Sequence, residues 1–193
     1  MRTEPEMFRT TWNWPADGAD IGRSGDYMCV GQKASRNSDV TAMELSDLYS
    51  QKILEIAANQ PIPGRLALPD ATVRRVSRVC GSSIEVDISV SADGTISAYG
   101  HKLSACALGQ TSAAIVATHI AGSSVAEFRA LRSQMTAMLK ANGAPPTGKW
   151  ADLAYLEPVR DYPPRHTSTL LVFDAVVEAL DRIDAGKSAG IIR

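Results

Sequence analysis

Sulfur is scarce in this chain. Its 193 residues carry three cysteines, at positions 29, 80 and 106. Three are too few for a disulfide framework. In a reducing compartment they read as ligands, reactive thiols or core residues. A surplus of one charge is also missing: 20 Lys and Arg face 21 Asp and Glu, for a net charge of −1. A nucleic-acid binder would carry a basic patch, so no nucleic-acid partner is expected. No segment approaches the roughly 20 consecutive apolar residues of a membrane span. The first residues lack the basic-then-apolar order of a secretory signal, and Glu4, Glu6, Asp17 and Asp20 do not suit an acid-poor transit peptide. These absences lead to the expectation of a cytoplasmic protein with no membrane partner. No nucleophile–base–acid constellation and no glycine-rich phosphate loop stands out, so the chain does not read as a classical enzyme.

Periodicity is absent from residues 1–42. Gly, Ser, Asp and Arg recur there, and the scattered apolar residues cannot bury enough surface to offset chain entropy. This stretch reads as a flexible N-terminal extension, although Trp12 and Trp14 offer docking points. Residues 43–185 read as one domain and 186–193 as a C-terminal tail. In the domain, Ser46 suits a helix N-cap, with Tyr49, Ile53, Ile56 and Ala57 on one face and Pro61 and Pro63-Gly64 as the stop. Residues 72–79 are β-branched and basic, a strand. Ile84, Val86, Ile88 and Val90 alternate with Glu85, Asp87 and Ser89, a half-buried strand whose Asp87 reads as solvated. Ala92-Asp93-Gly94 is a hairpin turn, and residues 95–103 return as a third strand.

Beyond Ser104 the period becomes helical. Ala107, Gly109, Ala113, Ala114 and Ala117 give a helix with a small face that neighbours can approach closely. Ser124-Val125-Ala126-Glu127 is a capping box that opens a second helix, faced by Phe128, Leu131, Met135, Met138 and Leu139. A short helical turn near 150–156 precedes a last helix over about 166–184, with Leu170, Phe173, Val177 and Leu180 inward. The order α-β-β-β-α-α-α predicts an α+β domain, a small three-stranded antiparallel sheet packed with helices.

Chemistry concentrates at three junctions. Cys80-Gly81-Ser82-Ser83 ends the first strand, and Gly81 permits a tight turn. Cys106 opens the first helix after the sheet, at the positive end of a helix dipole, which favours thiolate. Tyr162-Pro163-Pro164-Arg165-His166-Thr167-Ser168 brings an imidazole to the last helix, on the same inward stripe as Leu170. Thiolate and imidazole are common ligands of zinc and of iron–sulfur units. Cys80, Cys106 and His166 are therefore the candidate ligands. Cys29 has no partner junction, and His101 and His119 read as surface residues.

Four segments in this order resemble the U-type iron–sulfur cluster assembly scaffolds, the IscU, SufU and NifU N-terminal family. They are Leu48-Tyr49-Ser50-Gln51-Lys52-Ile53-Leu54, Cys80-Gly81, Cys106 with the small residues after it, and Leu156-Glu157-Pro158-Val159-Arg160-Asp161-Tyr162-Pro163-Pro164-Arg165. The last is most similar to the SufU branch, and the resemblance spans roughly residues 45–184. It implies a scaffold or carrier that accepts sulfur from a cysteine desulfurase, with Cys106 the acceptor candidate. It also implies iron or a labile [2Fe–2S] cluster on Cys80, Cys106 and His166, delivered to apo iron–sulfur proteins or carrier proteins. The SufU branch implies an alternative, a zinc-organised sulfur acceptor. A third reading is an adaptor that has lost its metal. The family pattern has Cys-Gly-Asp where this chain has Cys80-Gly81-Ser82. The family's third cysteine falls, on this reading, at Thr167. Removal of residues 1–42 is expected to leave Tm unchanged in a thermal melt, whereas a loss of several degrees would place Trp12 or Trp14 in the core.

Overall fold

The structure is a computed structural model that describes residues 50–61 and 63–190. The flexible extension over residues 1–42, the domain start at 43, the Ser46 cap and Cys29 all lie outside the described residues. Within them the α+β expectation holds. Helix α1 covers Gln51–Ala58. Strands β1 (Ala71–Val76), β2 (Ser83–Val90) and β3 (Ile96–Ser104) follow. Then come α2 (Ala107–His119), α3 (Val125–Lys140), a 3-10 helix (Gly148–Asp161), α4 (Pro163–Thr169) and α5 (Leu171–Gly190). The cap of α1 is Ser50, whose hydroxyl accepts from the Ile53 amide.

The sheet is a meander in the order β1-β2-β3, antiparallel throughout. Its β2–β3 turn is the expected one. Gly94 sits at φ +82, which only glycine enters without strain, and the Thr95 amide donates to Asp93 Oδ1. One face carries Val73, Ile84, Val86 and Ile88, all essentially without exposure, against the helices. Phe128, Met135, Met138, Leu153, Phe173, Val176 and Leu180 complete that core. Full burial of each large side chain contributes about 1.5–3 kcal/mol, so this layer dominates stability.

The helices after the sheet depart from the sequence expectation in two places. The region read as a short turn near 150–156 is a 14-residue 3-10 helix. Its buried residues Trp150, Leu153, Leu156 and Val159 recur every third position, the period of a 3-10 turn. The final helix is two helices. Pro163 and Pro164 occupy the first turn of α4, where a missing amide hydrogen costs nothing. The helix closes at Leu170, and α5 then runs on to Gly190.

Asp87 corrects the reading of a solvated strand face, for it has no exposure at all. It points to the sheet face away from the helical core, where the segment around Gly64-Arg65-Leu66 crosses Gly100 so closely that a Cβ at Gly100 would strike the Gly64 carbonyl. Arg65 grips both Asp87 oxygens, through Nε and through Nη2 at 2.9 Å. The Leu66 amide donates at 3.1 Å and the Thr72 hydroxyl at 2.6 Å. The Arg65 hydrogen bond, aided by these donors against the opposing effect of burial, holds the Asp87 carboxyl below the ordinary carboxylate range. The folded pKa is depressed. Asp87 therefore adds stability above the unfolded pKa near 3.9, and that stability is lost as pH falls through the folded value. Asp87→Ala is expected to cost roughly 3 kcal/mol in denaturant titration at pH 7, because Arg65, Leu66 and Thr72 all lose a partner. A change under about 0.5 kcal/mol, the size of an ordinary surface substitution, would show that the clamp is dispensable.

Candidate thiol site

Three elements meet at one end of the domain. The chain leaves β1 at Val76 and turns back into β2 at Ser83 through a tight loop. The Ser77 amide donates to the Ser82 carbonyl at 2.7 Å, and the Gly81 amide to the Ser77 carbonyl at 2.9 Å. Gly81 sits at φ +70, a conformation open to glycine, and this turn presents Cys80. Cys106 is the N-cap residue of α2, with no side-chain cap bond to its own helix. Helix α4 supplies the third side. Its approach depends on Gly109, where a Cβ would lie 2.9 Å from Ala105 Cβ and 3.2 Å from the Ser168 carbonyl oxygen.

Hydroxyls line the space between the thiols. Cys80 Sγ lies 3.3 Å from Ser77 Oγ and 3.0 Å from Ser82 Oγ. Ser168 Oγ, 1% exposed, receives Cys106 Sγ at 3.6 Å, donates to the Arg165 carbonyl at 3.0 Å, and helps to lower the Cys80 thiol. Ser77 Oγ reaches Thr167 Oγ1 at 3.1 Å. Burial alone pushes the Cys80 thiol up, yet the hydroxyls of Ser77, Ser82 and Ser168 and the Ser82 backbone together bring it down to about 7. Both thiols are half-buried. Cys80 opens on a cleft of about 440 Å³ lined also by Val79, Tyr162, Pro164 and Arg165.

His166 stands apart from this cluster. Its Nε2 faces the carbonyl oxygens of Val159 at 3.1 Å and Arg160 at 3.0 Å, so it ties α4 to the end of the 3-10 helix. Neither thiol is among its hydrogen-bond partners. The residue that approaches the thiols from this helix is Ser168. Thr167, the expected third position, is on the exposed side of α4. The phase of α4 and α5, set by buried Leu170, Leu171 and Phe173, decides which hydroxyl faces inward. No local feature of the sequence separates the two. Among the described residues, no group of three or more His, Cys, Asp or Glu side chains is placed to hold a metal. His101 is 5% exposed rather than a surface residue, and burial pushes its pKa down. It packs beside Tyr99 on β3, with ring centroids 5.5 Å apart. His119 is half-buried, edge-on to Trp150.

The comparison with known proteins turns on one relative. The crystal structure of a nitrogen-fixing NifU-like protein (N-terminal) from Brucella abortus superposes with a TM-score of 0.71 at 44% identity. The match covers 74% of this chain and 98% of that one. The chain belongs to the U-type iron–sulfur scaffold family. A curated relative, the iron–sulfur cluster assembly scaffold protein IscU of Thermotoga maritima, is 27% identical over 138 residues, 70% of this chain and 94% of its own length. A protein assigned to the SUF system of Fervidobacterium islandicum as a scaffold shares the fold, with a TM-score of 0.64 at 17% identity over 70% of this chain and 98% of that one. No protein-family model matches the chain.

The donor set at this site is not one that a metal site commonly uses. A structural zinc ion takes four Cys, His or carboxylate ligands, and an iron–sulfur cluster is commonly held by four thiolates. Here two thiols converge with neutral hydroxyls, which are poor ligands for soft cations. The pair fits thiol chemistry and does not by itself complete either set. In metal-free protein, peptide-resolved alkylation of Cys80 by iodoacetamide should rise with pH through a midpoint near 7. An ordinary thiol would titrate near 8.5. Ser82→Ala should move the midpoint upward, since it removes a donor to the thiolate. A parent midpoint at the ordinary value would refute the hydroxyl network as the cause.

Proposed function

We propose that this scaffold-family chain takes sulfur from a cysteine desulfurase on its thiol pair and passes it into iron–sulfur assembly. The observation that carries the reading is the convergence of Cys80 and Cys106 on Ser168, with Cys80 open to a cleft that admits a partner's side chain. In the transfer step the Cys80 thiolate attacks the outer sulfur of the desulfurase persulfide. The new bond joins Cys80 Sγ to that sulfur, the old sulfur–sulfur bond breaks, and the desulfurase cysteine leaves as thiolate. No net oxidation occurs. Ser77, Ser82 and Ser168 hold the attacking sulfur, and the half-buried walls limit water. Cys80 thus takes the acceptor role that the family resemblance suggested for Cys106.

Iron and the [2Fe–2S] unit are cargo in this scheme. The two thiols contribute part of a ligand set, and a partner or a second copy contributes the rest, so the cargo is held loosely and can be passed to an apo-protein. A resident zinc site is the weaker reading, because His166 Nε2 already serves two carbonyls. The setting is the cytoplasm, and no described helix is long and apolar enough to cross a membrane.

The test is transfer itself. The chain is mixed with a desulfurase and cysteine, and peptide mass mapping locates the added sulfur atom. Sulfur should appear on Cys80, and Cys80→Ser should lower total uptake about tenfold, because a hydroxyl is not ionised at neutral pH. Anaerobic addition of iron and sulfide should give a visible absorbance that both Cys80→Ser and Cys106→Ser abolish. Absence of both sulfur uptake and colour would favour an adaptor that kept the fold without the chemistry.

A further inference from the structure

The sulfur in a persulfide is too oxidised for an iron–sulfur unit, which is built from sulfide. Two electrons must come from somewhere. The geometry offers a source inside the chain. Cys106 Sγ bonds Ser168 Oγ, which is anchored on the Arg165 carbonyl and also acts on the Cys80 thiol. Cys80 also reaches the same short helix through Ser77, whose hydroxyl bonds Thr167, the neighbour of Ser168. Cys106 is fixed at the start of α2, with its side chain uncommitted to capping that helix. Cys80 rides on a turn whose neighbours Arg78 and Val79 are exposed and whose Gly81 has no atom within 4 Å of a would-be Cβ. The turn thus has open space beside it, and a disulfide would bring the two Cα atoms to about 4.4–6.8 Å.

We propose that Cys106 resolves a persulfide on Cys80 and releases sulfide. This rests on the reading that Cys80 accepts sulfur. Cys106 Sγ attacks Cys80 Sγ, the bond between Cys80 Sγ and the outer sulfur breaks, and a Cys80–Cys106 disulfide forms. The outer sulfur departs as sulfide and carries the proton that Cys106 gives up. The thiol pair is oxidised by two electrons and the outer sulfur is reduced by two. No outside reductant enters the releasing step. A dithiol reductant then returns the pair to its starting state by exchange. Ser168 acts as a positioning residue through its bond to Cys106 Sγ.

The experiment needs no desulfurase. Full-length protein carrying Cys29→Ser is loaded with inorganic polysulfide, freed of excess reagent without air, and followed for free sulfide and for the Cys80–Cys106 disulfide by non-reducing peptide mapping. Sulfide and disulfide should appear together, one for one. Cys106→Ser on the same background should hold its persulfide on Cys80, with release slowed at least about tenfold. Cys106→Ala should behave alike, and an unchanged Tm in either variant excludes unfolding as the cause. For each persulfide it does load, Ser168→Ala should release sulfide several-fold more slowly than the parent. A persulfide that lasts as long in the parent as in the Cys106 variants, or sulfide that appears without disulfide, would overturn the resolving role and leave sulfur acceptance standing. Failure of Cys80 to take up sulfur at all would overturn both.

Discussion

The thiol site depends on the absence of one side chain. At Gly109 a Cβ would collide with Ala105 and press on the Ser168 carbonyl, so any larger residue would push α4 off the N-terminal turn of α2. That contact decides where Ser168 stands, and Ser168 bonds Cys106 and acts on the Cys80 thiol. The rest of the helical layer follows from it. Helix α4 is tied to the 3-10 helix through His166, and α5 continues from Leu170 onto the sheet. A small-faced helix at the centre of a domain is thus a means of bringing a hydroxyl to a sulfur.

Two different kinds of polar burial hold the domain in shape. Asp87 is charged, fully enclosed and matched by an arginine, an amide and a hydroxyl. Such a group contributes through the cost of leaving its partners unpaired, more than through net attraction. The thiol site is the opposite case. Its neighbours are neutral hydroxyls, each able to donate to thiolate or to accept from thiol, so it tolerates a change of protonation without breaking apart. Rigidity sits at the strap around Arg65 and adaptability at the turn around Cys80, at separate places on one short β-meander.

Much of this was readable from the chain. The alternation Ile84, Val86, Ile88 gave the central strand, Asp93-Gly94 the hairpin, and Ser124 with Glu127 the start of α3, because each signal is local and physical. Cys80 and Cys106 were picked out by their positions at the ends of elements. What escaped depends on contacts between distant segments. Asp87 looked solvated because the strand pattern says nothing about a crossing segment near residue 65. His166 was correctly placed on the inward side, but its partner is the end of a 3-10 helix that the apolar spacing did not reveal. Thr167 was assigned from the family pattern, whereas Ser168 is the α4 hydroxyl that stands beside Cys106. A break at Leu170 leaves the phase of the short segment to be decided by Pro163, Pro164 and tertiary packing.

Ser168 also places this chain at a chemical threshold. Serine and cysteine differ by one atom, oxygen for sulfur, on an otherwise identical side chain. With Oγ 3.6 Å from Cys106 Sγ, exchange of that atom would bring a third sulfur to the thiol site. A third thiolate would be a better ligand for a soft or borderline cation than the hydroxyl that stands there. The difference would lie in the hardness of one donor atom and not in any change of shape.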